Sequence, residues 1–250
     1  MEKKLEPIIT IITGVSGYVG SALASSRSNM GDYVIGLDKH ENQLSQVDEF
    51  VQCDFSDLDQ TNRVANQFTN RFSKLNFVHC AAITGDSVEQ GWSGSLSEQS
   101  VVTWERALRV NVTSAFVLTR ALYGMAPTIP EGKIVLLSSI YAGLSPDKRL
   151  YSGQIMSNPA AYGASKAGLE ALSRYLAAQL SPNVLVNSIR LGGIRRDQSA
   201  NFVDRYASKT LLGRMATEGE VVSAVNYLLG SDNSYLTGST LTVDGGFSII

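Results

Sequence analysis

Seven runs of strand length rich in apolar residues, at 7–13, 32–38, 49–54, 75–82, 132–139, 183–191 and 239–246, set the tightest limit on what this chain can fold into. A strand with one face in water alternates apolar and polar residues, whereas continuous runs belong to parallel strands buried on both faces. Between the runs, 19–30, 58–72, 101–125, 160–180 and 219–229 repeat apolar residues at helical spacing. Regular alternation of strand and helix predicts an α/β, Rossmann-like fold: a doubly wound parallel sheet of about seven strands with helices on both sides.

With 250 residues, 44% of them hydrophobic, and no repeat or low-complexity linker, the chain reads as one domain spanning 1–250. A net charge of -2 and a pI near 5.7 provide no field to hold nucleic acid or an anionic membrane. The opening MEKKLEPIITIITG has too short an apolar run to cross a bilayer and reads as a first strand. Cys53 and Cys80 lie in apolar runs and read as reduced thiols of a cytoplasmic protein. His40 and His79 are too few for a histidine metal cluster, so no metal site is expected.

Motifs fall at the ends of the runs. After the first comes TGVSGYVG, with Gly14, Gly17 and Gly20 where a strand must turn sharply into a helix. Such a turn lets the backbone approach a pyrophosphate at the positive end of a helix dipole. The second run ends in Asp38, placed to accept hydrogen bonds from adenosine ribose hydroxyls and to repel a 2'-phosphate, which favours NAD over NADP, although Lys39 stands beside it. Asp54 closes the third run and either reaches the adenine or caps the next helix.

Tyr162 and Lys166 lie four residues apart in AAYGASKAGLEAL, on one helical face. A phenol of ordinary pKa near ~10 is a poor proton-transfer catalyst at neutral pH, and a neighbouring ammonium favours its phenolate. Ser138 and Ser139 end the fifth run, where parallel strands present ligand-binding groups, and a hydroxyl there can hold a carbonyl or alcohol oxygen. Asn111 sits in a mainly apolar helix, where its amide either bonds local backbone or anchors a water relay to Lys166.

In this order the motifs resemble the short-chain dehydrogenase/reductase family, most closely its classical subgroup, over nearly the whole chain. The resemblance implies catalytic roles for Asn111, Ser139, Tyr162 and Lys166. It implies dinucleotide contacts from Gly14, Ser16, Gly17, Tyr18, Val19 and Gly20 in the first turn, and from Asp38, Asp54 and Phe55 after the next two strands. Cys80, Ala81 and Ala82 after the fourth strand, Tyr162 and Lys166, and Gly192 and Ile194 after the sixth complete that set. Several positions depart from the family pattern. The glycine spacing TGxxGxxG is that of the extended, sugar-nucleotide subgroup; His79-Cys80-Ala81-Ala82 stands for Asn-Asn-Ala-Gly; Leu191-Gly192 stands for Pro-Gly; and Arg196 takes the place of a threonine.

Two segments, 144–159 and 192–209, read as substrate loops. The first is polar, and the second carries Arg195, Arg196, Arg205 and Lys209, which suits a small polar or anionic substrate such as a sugar, a sugar acid or a nucleotide sugar. The stretches SSIYAGLSPDKRLYSG (138–153) and GGIRRDQSANFVDRYASKTLLGRM (192–215) are similar to reductases of bacterial surface-sugar pathways. A non-catalytic NAD sensor or partner subunit, and an extended-type epimerase or dehydratase, are the rival readings. By resemblance the chain forms a homo-oligomer, a dimer or tetramer, through the 101–125 helix, its Tyr-Lys neighbour and the apolar tail 247–250.

Overall fold

The computed structural model describes residues 7–40, 46–84, 89–124, 128–151 and 158–250. Its seven strands, β1 (Ile9–Thr13), β2 (Tyr33–Asp38), β3 (Glu49–Gln52), β4 (Lys74–His79), β5 (Glu131–Ser139), β6 (Val184–Leu191) and β7 (Thr240–Val243), form one sheet in the order β3-β2-β1-β4-β5-β6-β7. Every pairing is parallel. The expected Rossmann-like single domain is therefore the observed one. Strand order reverses between β1 and β4, so the connections leaving their carboxyl ends part in opposite directions and open a crevice there.

Adjacent strand residues feed opposite cores, because side chains alternate across a sheet. Ile11, Ile35, Phe77 and Ile134 pack on one face with Leu118, Leu169 and Leu176. Ile12, Val34, Val78 and Val135 pack on the other with Leu23, Val221 and Val225. The second layer belongs to α1 (Tyr18–Asn29) and α7 (Glu218–Leu229); the first to α2 (Leu58–Asn66), α3 (Val101–Leu108), α4 (Ser114–Thr119) and α5 (Ala160–Leu180). Helix starts are marked by side chains that accept orphan backbone N–H groups: Asp57 for α2, Ser100 for α3, and a Thr217–Glu220 capping box for α7.

Three elements differ from their sequence reading. The helix expected over 58–72 stops at Asn66, and the chain turns through Asn70 at φ 60. Phe68 and Phe72, whose spacing mimicked another helical turn, stack beneath Arg71, which pairs with Glu49 of β3 at 2.5 Å. The 101–125 helix is interrupted by π-turns at Arg109–Thr113 and Arg120–Gly124, which lie on either side of α4. The 192–209 loop contains a helix, α6 (Ala200–Ala207), capped by Ser199 and seated through Phe202 and Tyr206, four residues apart. Residues 1–6, Met125 and 152–157 of the first substrate loop lie outside the described residues.

One buried ion pair ties α1 to the start of β2: Arg27 Nη2 lies 2.7 Å from Asp32, with side chains 7% and 4% exposed, and Thr10 also donates to that carboxylate. Removing one partner strands a buried charge, which costs about 3–5 kcal/mol. Asp32→Ala is expected to lower unfolding free energy by about that amount in urea titration, and a loss under ~1 kcal/mol would show that the pair is solvated.

Candidate active site

A cleft of about 820 Å³ opens at the carboxyl ends of the strands. Its floor is the turn from β1 into α1. Gly14 has φ +68, and a Cβ on Gly20 would stand 2.1 Å from the Gly14 carbonyl oxygen, so both positions need glycine. The first turn of α1 has no side-chain cap, which leaves backbone N–H groups directed at the cleft. Asp38, at the end of β2, accepts from the backbone N–H of Ser16 at 3.0 Å and of His40 at 3.3 Å.

Gly14, Gly17, Tyr18, Val19, Gly20, Asp38, Asp54 and Phe55 all line the cleft, together with Cys80, Ala81, Ala82, Gly192 and Ile194. Ser16 is the exception in the dinucleotide set: its hydroxyl donates to the His40 carbonyl at 2.7 Å, bracing the turn from behind. Asp54 does not cap α2, a task that falls to Asp57; it accepts from the Ser56 N–H and hydroxyl at 2.9 and 2.7 Å.

The opposite wall carries Tyr162 and Lys166 from α5 and Ser139 from β5. Gly163 lets the start of α5 press on β5's extension, since a Cβ there would meet the Tyr141 carbonyl at 2.9 Å. Lys166 Nζ donates to the Leu137 carbonyl at 2.7 Å and lies 5.8 Å from the centre of the Tyr162 ring. Burial pulls its pKa down to about 8. The two serines divide: Ser138 donates inward to Glu170, which pairs with Arg190, whereas the Ser139 hydroxyl accepts from the Tyr141 N–H at 3.3 Å.

Asn111 is fully buried and is not on the cleft wall. Its amide does not bond local backbone, as one reading expected. It reaches the N–H and carbonyl of Ile83, 28 residues away, and donates to Ser165 at 2.9 Å. The π-turn at Arg109–Thr113 accounts for this, because the extra residue per turn rotates Asn111 off the ordinary helical track.

A family model described as enoyl-(acyl carrier protein) reductase matches residues 19–248. The chain belongs to the short-chain dehydrogenase/reductase family. It is 26% identical to the short-chain dehydrogenase/reductase SDRA of Arabidopsis thaliana, covering 98% of each protein. It is 27% identical to a 3-oxoacyl-(acyl-carrier-protein) reductase of Aquifex aeolicus, covering 98% of this chain and 99% of that one. A short-chain dehydrogenase of Leptospira borgpetersenii, solved with bound NAD+, superposes with a TM-score of 0.84 at 28% identity over 98% of this chain and 94% of that one. The protein is thus an oxidoreductase of this family.

Within that family frame, the basic residues expected to receive an anionic substrate are dispersed. Lys209 and Arg149 both pair with Asp147. Arg196 covers the Tyr18 ring at 4.4 Å, beside the glycine turn, and the Tyr18 hydroxyl donates to Asp197 at 3.3 Å. Arg195 lines a separate groove with Arg214 and Glu220, and Arg205 is not on the cleft wall. Sequence reasoning missed the aromatic end of the cleft, where Tyr141, Tyr151, Phe202 and Tyr206 gather near Tyr162. The four-residue spacing of Phe202 and Tyr206 was the available signal.

Behind Lys166, His79 is fully buried and its Nδ1 hydrogen-bonds the Thr13 hydroxyl at 2.8 Å; that hydroxyl also accepts from the Ala81 N–H. Burial, reinforced by the Lys166 charge, lowers the His79 pKa to about 3. The folded protein holds the neutral ring, so its contribution to stability is complete above the unfolded pKa of ~6.5 and is lost as pH falls toward about 3. Stability should decline by up to ~1.4 kcal/mol per pH unit across that window, and His79→Gln should flatten that slope in urea titrations. Equal slopes in the two proteins would refute the assignment.

Proposed function

We propose that the cleft binds NAD in preference to NADP, and that the protein transfers hydride between it and a carbonyl or alcohol carbon of a small polar substrate. The observation that carries this reading is the shared cleft: the glycine turn and Asp38 form one wall, and Tyr162, Lys166 and Ser139 the other. The residues fit a dinucleotide. A floor without Cβ atoms and the uncapped start of α1 suit a pyrophosphate, and the Asp38 carboxylate suits ribose hydroxyls while opposing a 2'-phosphate. The NAD+ carried by the Leptospira relative supports the same choice.

When bound, the nicotinamide supplies the hydride acceptor or donor. Ser139 holds the substrate oxygen by hydrogen bonding, and the Tyr162 oxygen takes the alcohol proton in oxidation or returns it in reduction. The Lys166 ammonium, shielded from water and anchored on Leu137, favours the Tyr162 phenolate. Asn111 positions Ser165, which shares that helix turn. Segments 144–159 and 192–209 flank the substrate end, and a sugar or sugar derivative suits their polarity.

Coverage of 98% of this chain and 99% of the Aquifex reductase supports the classical subgroup over an extended epimerase, despite the glycine spacing. A set of Ser, Tyr and Lys facing one cleft favours catalysis over a sensor. Among the described residues no helix is long and apolar enough to cross a membrane, and a cytoplasmic setting is part of the proposal. So is assembly into a dimer or tetramer, supported by exposed Val101, Val102, Trp104 and Phe116 on the α3–α4 arm and Ile249 and Ile250 at the tail.

Tyr162→Phe should cut kcat by about 10²–10⁴-fold while NADH binding, followed by fluorescence, persists; undiminished turnover sinks the catalytic reading. Asp38→Ala should weaken NAD binding about tenfold and improve NADP binding. An unchanged NAD to NADP ratio would remove Asp38 as the selector.

A further inference from the structure

Beyond Tyr162 the cleft is walled by aromatic side chains drawn from three segments. The Tyr141 ring meets Tyr162 edge-on at 6.5 Å; Tyr151 packs on Phe202 at 5.7 Å, and Phe202 on Tyr206 at 6.1 Å. Their polar atoms form a neutral chain. The Tyr141 and Tyr151 hydroxyls are 2.7 Å apart, Asn158 donates to Tyr151, and the Tyr206 hydroxyl accepts from the Gly193 N–H. Burial raises all three phenols above their ordinary range, with Tyr151 at about 12, so they remain uncharged hydrogen-bonding groups at any working pH.

Among the described residues lining the cleft, the cations are Lys39, Arg106, Lys166 and Arg196. Lys39 follows Asp38 at the end of β2, Arg106 pairs with Glu89 at 2.5 Å, and Arg196 lies on Tyr18. Lys166 lies 5.8 Å from the Tyr162 ring centre, is buried, and donates one N–H to the Leu137 carbonyl. A substrate carboxylate or phosphate seated against Tyr141, Tyr151 and Tyr206 would exchange its water for neutral phenolic hydroxyls. An acyl chain would set hydrocarbon against the row of phenolic hydroxyls. A saturated ring satisfies both features, since its C–H faces stack on aromatic faces while hydroxyls on its rim exchange hydrogen bonds with Tyr151, Asn158 and Tyr206.

We infer that the substrate is an uncharged, ring-shaped polyhydroxy alcohol or its ketone or lactone, of the neutral sugar or cyclitol class. The inference rests on the hydride-transfer reading and narrows it. In the oxidative direction the ring C–H leaves with its electron pair as hydride to NAD+, the C–O bond becomes C=O, and the hydroxyl proton passes to the Tyr162 oxygen.

The test compares alcohols in one direction with NAD+: D-glucose and myo-inositol, D-glucuronate as the acid matched to glucose, and 3-hydroxybutyryl-pantetheine as an acyl thioester. A neutral ring compound is expected to exceed the other two in kcat/KM by tenfold or more. Preference for glucuronate or the thioester overturns the substrate class and leaves the hydride reading standing, as does NAD binding with no turnover of the neutral rings. Absence of NAD binding defeats both. Tyr151→Phe supplies a second readout: KM for the preferred polyol, relative to KM for cyclohexanol, should rise about tenfold. An unchanged ratio would mean that the phenol only packs, and would overturn its place in recognition.

Discussion

The cleft depends on how closely two strand ends approach one another. Where β1 and β4 leave the sheet in opposite directions, a Cβ on Gly14 would come within 2.7 Å of the Ala81 backbone nitrogen. Thr13 locks that approach, with its hydroxyl shared between His79 and the Ala81 N–H. The position occupied by Asn in the family pattern is thus filled by a buried, neutral imidazole that ties β4 to Thr13 of β1. With these ends fixed, the glycine turn, the small residues after β4 and the start of α1 follow as one rigid wall.

The second wall is set by α5. Its regular turn brings Tyr162 and Lys166 onto the same face, and its contact with Tyr141 fixes how far that face stands from β5. The Lys166 ammonium is taken out of water but anchored on a main-chain carbonyl, which stabilises its position without neutralising it. Charge is graded along the cleft: acidic and basic groups cluster from Asp38 to Arg196, and neutral phenols follow. That gradient underlies the proposed division between a cofactor end and a neutral-ligand end.

Much of this was legible in the residues. Apolar runs alternating with helical segments suit a parallel sheet buried on both faces, and Gly14, Gly20, Asp38, Ser139, Tyr162 and Lys166 have meaning through local spacing at strand ends. Other features were hidden because they arise from distant segments. The π-turn that redirects Asn111 to Ile83 leaves no periodic trace, since one extra residue in a turn barely disturbs an apolar pattern. Helix α6 has only Phe202 and Tyr206 to seat it, too few to distinguish it from a polar loop. Lys209 reads as part of an anion site in the sequence, but its carboxylate partner, Asp147, lies 62 residues away.

The sequence by itself determined the fold class, the position of the glycine turn and the pairing of phenol with amine, because each depends on interactions within a few residues or on a repeated burial pattern. Only the tertiary structure decided which charges face the cleft and which are spent on one another. It also brought Tyr141, Tyr151 and Tyr206 together into one wall. Long-range pairing of side chains carries no fixed spacing along the chain, so the chemistry of the substrate end emerges only once the strands and loops have been brought together in space.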